Sequence, residues 1–600
     1  MKKIILLIIL LALIIPIAAA KQGHLKLLAV KETDSGYNGS SADLYLELQP
    51  GSGRVFIEVF PLTKIDTQMS TRFAKEVACD YLEVNCDNYD FIYKITAESA
   101  IIGGPSAGAA ISALTVAMLK DIELNENITI TGTINSGGFI GPVGGLKAKI
   151  DAAKEQKLKK VLIPIGERFS EEDFSNETNQ TNKTDIFGYG RGIGVEIKEV
   201  SDINDVIYEF TGAKTGDDEV EFEISQKYME TMKDLAVALY NRSLRLKSSI
   251  LLVKKEMNED LEKTEETANN LTKNGKSAFN EKKYYSAASY FFGANVKFSY
   301  VLNMLQNLSK DDREKKIVSI KGDIGELNRA IEREEIRTIT DLESYMVVKE
   351  RLVEAEDYIK KAEEDINSTD VNDIVYAAER ANSAYLWYAL FDHSGKQFNF
   401  NEEILKSSCQ NKLSEAEERY QYLNSFVSEI RSIKKELDLA YKDFNSQNYA
   451  LCLFKASQTK SEADSILNLV GVDEEQVDIL INEKLKIIRR TLAKQQKKGI
   501  FPVLGYSYYE YADSLKDSDK YSALLYIEYA LELSNLDMYF REKQHIEIGK
   551  KKDNSMIIKA AALAGAGLLV GFFAGRISKR GPEGREKRGI YIRTSRKSKR

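Results

Sequence analysis

Residues 103–149 read GGPSAGAAISALTVAMLKDIELNENITITGTINSGGFIGPVGGLKAK. Gly103-Gly104-Pro105-Ser106-Ala107-Gly108 places a serine where a glycine-rich loop runs into an Ala-rich stretch, Ser106 to Leu119, that predicts a helix. Ile128 to Ile134 is β-branched and predicts a strand. A second glycine turn, Gly141 to Gly145, precedes Lys147 to Leu158, which predicts another helix. Free N–H groups at a helix start can stabilise an oxyanion, and small neighbours let a substrate backbone approach. Serine alone is a poor nucleophile and needs a base. The plausible base is a lysine made neutral by desolvation, because burial lowers an ammonium pKa. Lys147 and Lys149 stand at the mouth of the second turn. Taken singly, the serine string reads more readily as a helix cap and the lysines as solvated.

Outward from this stretch the pattern alternates. Ser41 to Leu48 and Arg54 to Phe60 read as strands on either side of the Pro50-Gly51-Ser52-Gly53 turn. Thr71 to Leu82 reads as a helix and Val161 to Ile165 as a short strand. Residues 21–212 hold twenty of the 37 glycines, and the mixture predicts an α+β domain. No proline occurs between Pro164 and Pro502, so residues 213–550 predict helices. There Phe279, Tyr285 and Ala287 share the spacing of Leu515, Tyr521 and Ala523, and Phe444, Tyr449 and Ala450 form a shorter version. Such sets pack one helix on the next in tetratricopeptide-like hairpins, but the period is irregular. The expectation is a helical bundle or irregular helical repeat whose aromatic positions are core, with Glu/Lys runs such as Lys254 to Glu266 solvated.

The ends carry a different message. Six hundred residues suggest three or four units, and 43% apolar with 29% charged residues is ordinary for folded protein. A net charge of −7 excludes a generally basic protein that coats nucleic acid. Residues 556–600 hold twelve Lys/Arg against Glu583 and Glu586, for +10, and the first twenty residues add +2, which leaves −19 between them. Residues 1–20 (Lys2, Lys3, an Ile/Leu run, then Ala18-Ala19-Ala20) predict a signal peptide, with an uncleaved anchor as the alternative. Residues 556–575 predict a transmembrane helix, Lys559 snorkelling to the interface. The basic tail 576–600 is then cytoplasmic and the body lies outside the cell, in the cell membrane by a single pass. Gly567, Gly571 and Gly575 suit close helix–helix approach, and glycine is also simply common in membrane helices. Cys79 with Cys86 and Cys409 with Cys452 permit two disulfides in an exported chain, with buried thiols as the alternative. The Asn176, Asn179 and Asn182 sequons mark an exposed loop.

Several chemistries drop out. His24, His393 and His545 are far apart, so a histidine-ligated zinc site or a Ser-His-Asp triad is not expected. Gly275-Lys276-Ser277 has the ending of a phosphate-binding loop, but its upstream glycine position holds Asn270, so no nucleotide is expected. The expectation is no metal and no cofactor.

Together, the serine string and the lysine string resemble the proteolytic domain of Lon proteases. The resemblance implies Ser106 as nucleophile in Gly-Pro-Ser-Ala-Gly and Lys149, 43 residues later, as general base in Gly-Gly-Leu-Lys-x-Lys. Thr131-Gly132 matches the family's strand-borne Thr-Gly, whose hydroxyl supports the lysine amine; Lys147 is then the solvated neighbour. Backbone around Gly104, Pro105, Ala107 and Gly108 is the expected oxyanion loop. The likeness continues through Lys160-Val161-Leu162-Ile163-Pro164 and fades near Gly212, so residues 21–212 are expected to form the α+β Lon-type domain. Gly103 stands where cytosolic Lon enzymes commonly have an acid three before the serine, and Thr133 where they often have glutamate. No ATPase module accompanies the domain. The whole is similar to secreted, membrane-bound, ATP-independent Lon-like serine proteases of archaea. It implies an endopeptidase acting on extended peptides or unfolded protein, and a homo-oligomer by analogy with Lon hexamers. The alternative is an inactive Lon-fold scaffold whose helices bind cell-surface partners.

Overall fold

The computed structural model describes residues 21–540 apart from 34–35, 98–102, 172–182, 214–221, 254–255, 392, 429, 471 and 473. The expected signal peptide, membrane helix, basic tail, sequon trio and His545 therefore lie outside the described residues or within those gaps. Among the described residues no helix is long and apolar enough to cross a membrane.

A four-stranded sheet opens the chain. Strands β1 (Lys21–Thr33), β2 (Gly36–Pro50), β3 (Val55–Phe60) and β4 (Tyr89–Ala97) run in the order β1-β2-β4-β3. Pairs β1–β2 and β2–β4 are antiparallel, and β3–β4 is parallel. Helix α1 (Ile65–Leu82) crosses between β3 and β4. Period-two alternation aims Leu44 and Leu46 of β2, with Phe91, Tyr93 and Ile95 of β4, into one fully buried face. Onto it pack α1 and α2 (Gly108–Lys120), which is buried on every side from Gly108 to Met118. Its small residues permit that: alanine fills little space between sheet and flanking helices.

A second, all-parallel sheet, order β11-β8-β5, contains β5 (Ile128–Ile130), β8 (Lys160–Pro164) and β11 (Glu196–Val200). Between β5 and β8 lie the short hairpin β6 (Thr133–Ile134) with β7 (Ile140–Gly141), then α3 (Leu146–Glu155). The small hairpin β9 (Phe169–Glu171) with β10 (Lys183–Asp185) and helices α4 (Ile186–Ile193) and α5 (Ile203–Thr211) complete this part. The strand expected over 128–134 is thus broken at Thr131-Gly132, where the chain leaves one sheet for the hairpin.

Twelve helices follow: α6 (Gln226–Val253), α7 (Glu259–Asn280), α8 (Tyr284–Gln306), α9 (Lys310–Ile331), α10 (Ile339–Glu364), α11 (Asn372–Tyr388), α12 (Glu402–Leu423), α13 (Arg431–Asn445), α14 (Tyr449–Leu467), α15 (Glu474–Lys497), α16 (Val503–Leu515) and α17 (Lys520–Ser534). The recurring sets sit at the tight turns α7–α8, α13–α14 and α16–α17. Lys282 and Gln447 turn the first two through the left-handed region; Asp519 instead caps α17 by accepting from Ser522 N–H at 3.1 Å. Tyr285, Ala287, Tyr449, Ala450 and Ala523 are core, but Tyr521 is 65% exposed. The equivalence of Tyr521 with Tyr285 is corrected accordingly: Tyr508, Tyr511 and Tyr526 supply the rings at that end, with Tyr285 6.0 Å from both Tyr508 and Tyr511. Gly275 is a packing glycine in mid-α7, where a Cβ would sit 2.6 Å from the Phe291 ring.

The two architectures share their cores. Phe139 of the β6–β7 turn is buried among the helices, and Met538, beyond α17, is buried under the first sheet. The described residues form one compact unit. Disulfides join Cys79 to Cys86, and Cys409 on α12 to Cys452 on α14.

Gly39 on β2 lies against α3, where a Cβ would fall 1.9 Å from the Ala148 carbonyl oxygen. Gly39→Ala must push α3 off the sheet and is expected to destabilise by about 1–3 kcal/mol. A lower urea midpoint in equilibrium unfolding would register this.

Candidate active site

The glycine loop is fixed from below by the start of α1. Gly104, at φ 94, donates its N–H to Asp66 Oδ2 at 3.0 Å, and its carbonyl accepts from Thr67 Oγ1 at 3.4 Å. Pro105–Ala107 form a single 3-10 turn, and α2 starts only at Gly108. Half-buried Ser106 therefore stands one turn ahead of the helix predicted to contain it. Its carbonyl accepts from Gly132 N–H at 3.0 Å, and Ala109 N–H donates to Gly132 carbonyl at 3.0 Å. Those two bonds stitch the serine turn to the strand break. Only glycine fits at 132, since a Cβ would lie 2.4 Å from Ile140 Cγ2.

The same break presents Thr131. Its N–H donates to Leu162 carbonyl on β8 at 3.1 Å, and its side chain is 1% exposed. Lys149, 2% exposed on the first turns of α3, donates from Nζ to Thr131 Oγ1 at 3.0 Å. Lys147, two residues earlier, falls on another side of the helix, half-buried with its ammonium 5.2 Å from the Tyr189 ring centre. Periodicity alone thus separates the buried amine from the accessible one.

Burial pushes the Lys149 pKa down to about 8, while the charge of Glu167 acts to raise it. Glu167, just past β8, is 4% exposed, and burial pushes its carboxyl up to about 8 against the pull of Val143 N–H and Lys149. Its Oε1 accepts from Val143 N–H at 2.8 Å. Sequence reasoning missed Glu167, whose only signal is an acid in the otherwise apolar Pro164-Ile165-Gly166-Glu167 turn.

Of the expected oxyanion loop, Pro105 has no N–H, Gly104 N–H is taken by Asp66, and Gly108 N–H by the Pro105 carbonyl. Sequence reasoning also missed Asp66. It brings a carboxylate to the loop from α1; at exposed Gly103 a Cβ would meet only the flexible Lys64 side chain, 2.7 Å from its Cδ.

A third set of residues arrives from more than 270 positions away. Arg419 on α12 donates from Nη2 to Asn135 Oδ1 at 3.0 Å, beside β6. Tyr422 donates to the Pro142 carbonyl at 3.4 Å, and Phe426 abuts Gly144. The helices therefore clamp both the β6–β7 hairpin and the turn that starts α3. Behind Pro105, Arg419 and Glu418 help wall a space of only about 10 Å³. No local pattern in α12 could have announced this. Among the described residues no group of three His, Cys, Asp or Glu side chains could hold a metal.

Residues 80–186 match the Lon protease (S16) C-terminal proteolytic domain. A curated Lon protease of Phenylobacterium zucineum is 38% identical over 78 residues, 13% of this chain and 10% of that protein. An archaeal Lon protease of Methanothermobacter thermautotrophicus is 31% identical over 84 residues, 14% of this chain and 13% of the relative. The Lon protease of Fervidobacterium nodosum is 29% identical over 131 residues, 21% and 16% of the two chains. The chain thus spans a small fraction of these relatives. The likeness covers Ser106, Thr131, Lys149 and Glu167, so a Lon-type proteolytic domain is followed here by a mostly helical region. That domain implies serine peptidase chemistry.

Arg419 pairs through Nε with Asp464 at 3.0 Å, and both are at least 98% buried. Arg419→Ala strands Asp464 and Glu418 without their cation and is expected to cost about 3–5 kcal/mol. A lowered thermal midpoint checks this, and an unchanged one would show that α12 does not anchor the hairpin.

Proposed function

We propose that this protein is an ATP-independent serine endopeptidase in which Ser106 is the nucleophile and Lys149 the general base. The observation that carries the reading is the buried Lys149 amine on Thr131, one residue from the Gly132 that is stitched to Ser106. Neutral Lys149 accepts the Ser106 hydroxyl proton as Oγ attacks the scissile carbonyl. The N–H groups of Ser106 and Ala107, at the start of the 3-10 turn, suit the oxyanion. The lysine ammonium then protonates the leaving amine; in the second half neutral Lys149 takes a proton from the water that attacks the acyl carbon, and its ammonium gives that proton to Ser106 Oγ as the ester bond breaks. Thr131 holds the amine in place.

Extended segments are the proposed substrates. β3 is an edge strand of its sheet among the described residues. Phe56 and Phe60 on it are exposed, as are Leu62 and Ile65 on the way to Asp66, the residue that holds the Gly104 loop. Such an edge recruits an unfolded apolar peptide by strand addition. The proposal places the body outside the cell, tethered by residues 556–575 with tail 576–600 inside; charge asymmetry and the two disulfides support it.

The test is cleavage of an unfolded casein-like substrate by the purified chain, without ATP, from pH 6 to 10. Ser106→Ala and Lys149→Met are each expected to lower the rate at least about a thousandfold. Thr131→Val, which deletes one hydrogen bond, is expected to lower it about tenfold. An ammonium has no lone pair to accept a proton, so the rate should rise about tenfold per pH unit up to the Lys149 pKa near 8 and then level. No cleavage by folded wild type would favour the scaffold instead.

A further inference from the structure

Glu167 is the one buried acid whose charge bears on Lys149 and which the proposed chemistry leaves unused. Its two carboxylate oxygens differ. Oε1 accepts from Val143 N–H in the turn that leads into α3, and so fixes the start of the helix that carries the lysine. Oε2 is buried with no hydrogen-bond partner among the described residues. A buried oxygen without a partner is expensive, and such groups are retained where a charge is used. The elements packed around the carboxyl supply the remaining titratable groups. Lys149 comes from α3, Glu199 from β11 and Tyr422 from α12. Glu199 is itself bonded through Oε1 to Gly166 N–H at 2.9 Å, so its charge disfavours ionised Glu167. Of these groups only Lys149 can carry a positive charge, and that charge acts to lower the Glu167 carboxyl.

 

We infer that Glu167 is a positioning residue that acts through Lys149: one oxygen sets the turn before α3 that carries the lysine, and the carboxyl, when ionised, supplies a buried negative charge that acts on the amine. The inference rests on the Ser106–Lys149 reading. With its carboxyl raised to about 8, Glu167 loses its proton over the same range as Lys149, and where it is ionised its charge stabilises the ammonium formed when Lys149 takes the Ser106 proton and so raises the basicity of the amine. Glu167 therefore sets the pH at which the base becomes available, at the benefit of a stronger base once it is.

Glu167→Gln keeps an acceptor for Val143 N–H and removes the charge. In the full-length protein the acid limb of kcat/KM is expected to move down by about one pH unit. The high-pH plateau of kcat should fall about tenfold, because the ammonium formed in the reaction loses its counter-charge. Glu167→Met lacks the acceptor as well, and should show the same downward shift with a lower plateau. A limb that stays in place in both variants overturns the inference, since a merely structural glutamate would change the plateau alone. That failure leaves the dyad standing as long as Ser106→Ala abolishes cleavage in parallel assays. Cleavage that survives Ser106→Ala overturns the dyad and the inference together.

Discussion

The Lys149 amine is brought to a pKa of about 8 by the exclusion of water from it, and the arrangement around it follows from that requirement. The amine has Thr131 as its hydrogen-bond acceptor, so the hydroxyl must be held where the strand breaks. The break in turn requires glycine at 132, and Gly132 is bonded both to the serine turn and to the first residues of α2. Three segments within 44 residues of chain are thus brought to one point by the Lys149–Thr131 bond and the two backbone bonds of Gly132. Lys147 shows the contrast, since one step around the helix is enough to return a lysine to an aromatic face and partial solvent.

The helices complete that exclusion. α12 and the turn after it lay Arg419, Tyr422 and Phe426 over the hairpin and turn that frame the site, and α15 sets the Lys484 ammonium 3.6 Å from the Phe139 ring centre. Behind them lies a buried ionic network. Burial alone would raise the Glu532 carboxyl, but Lys412, at 2.7 Å, and Lys460 outweigh it and hold it well below the usual range. Glu528 pairs with Lys484 and accepts from Asn468 at 2.7 Å, but there burial outweighs the pairing and keeps the carboxyl above the usual range. Buried ion pairs add little net stability but demand particular geometry, so this network fixes how α12, α14, α15 and α17 meet. The consequence for the site is indirect and physical: the surface that presses on the β6–β7 hairpin has one arrangement available to it.

Much of the site was legible in the sequence, because Ser106, Thr131 and Lys149 lie within 44 residues and their glycine strings are local signals. The helices were legible through the missing prolines, and the strands at 41–48 and 54–60 through alternation and a turn. Other parts were not. β1 and β4 carry no flanking turn signal as clear as Pro50 to Gly53, and their pairing with β2 is a tertiary matter. Glu167 and Asp66 are single acids whose importance arises from burial and from a backbone N–H, neither of which spacing encodes. Arg419 and Tyr422 belong to a helix that reads like its neighbours until the fold carries it to the hairpin. Tyr521 shows the opposite failure, where a matched spacing suggested a core position and the helix turned it to solvent.

The central claim is that Ser106 is made nucleophilic by a neutral Lys149 with no help from ATP. Its most direct test is reaction of the purified protein with a fluorophosphonate, in which serine oxygen displaces fluoride from phosphorus, followed by intact-mass and peptide mass spectrometry. The account predicts one adduct per chain on the peptide containing Ser106, forming faster at pH 9 than at pH 6 and absent in Lys149→Met. An adduct on another serine, or one on Ser106 that forms equally well without Lys149, would contradict it.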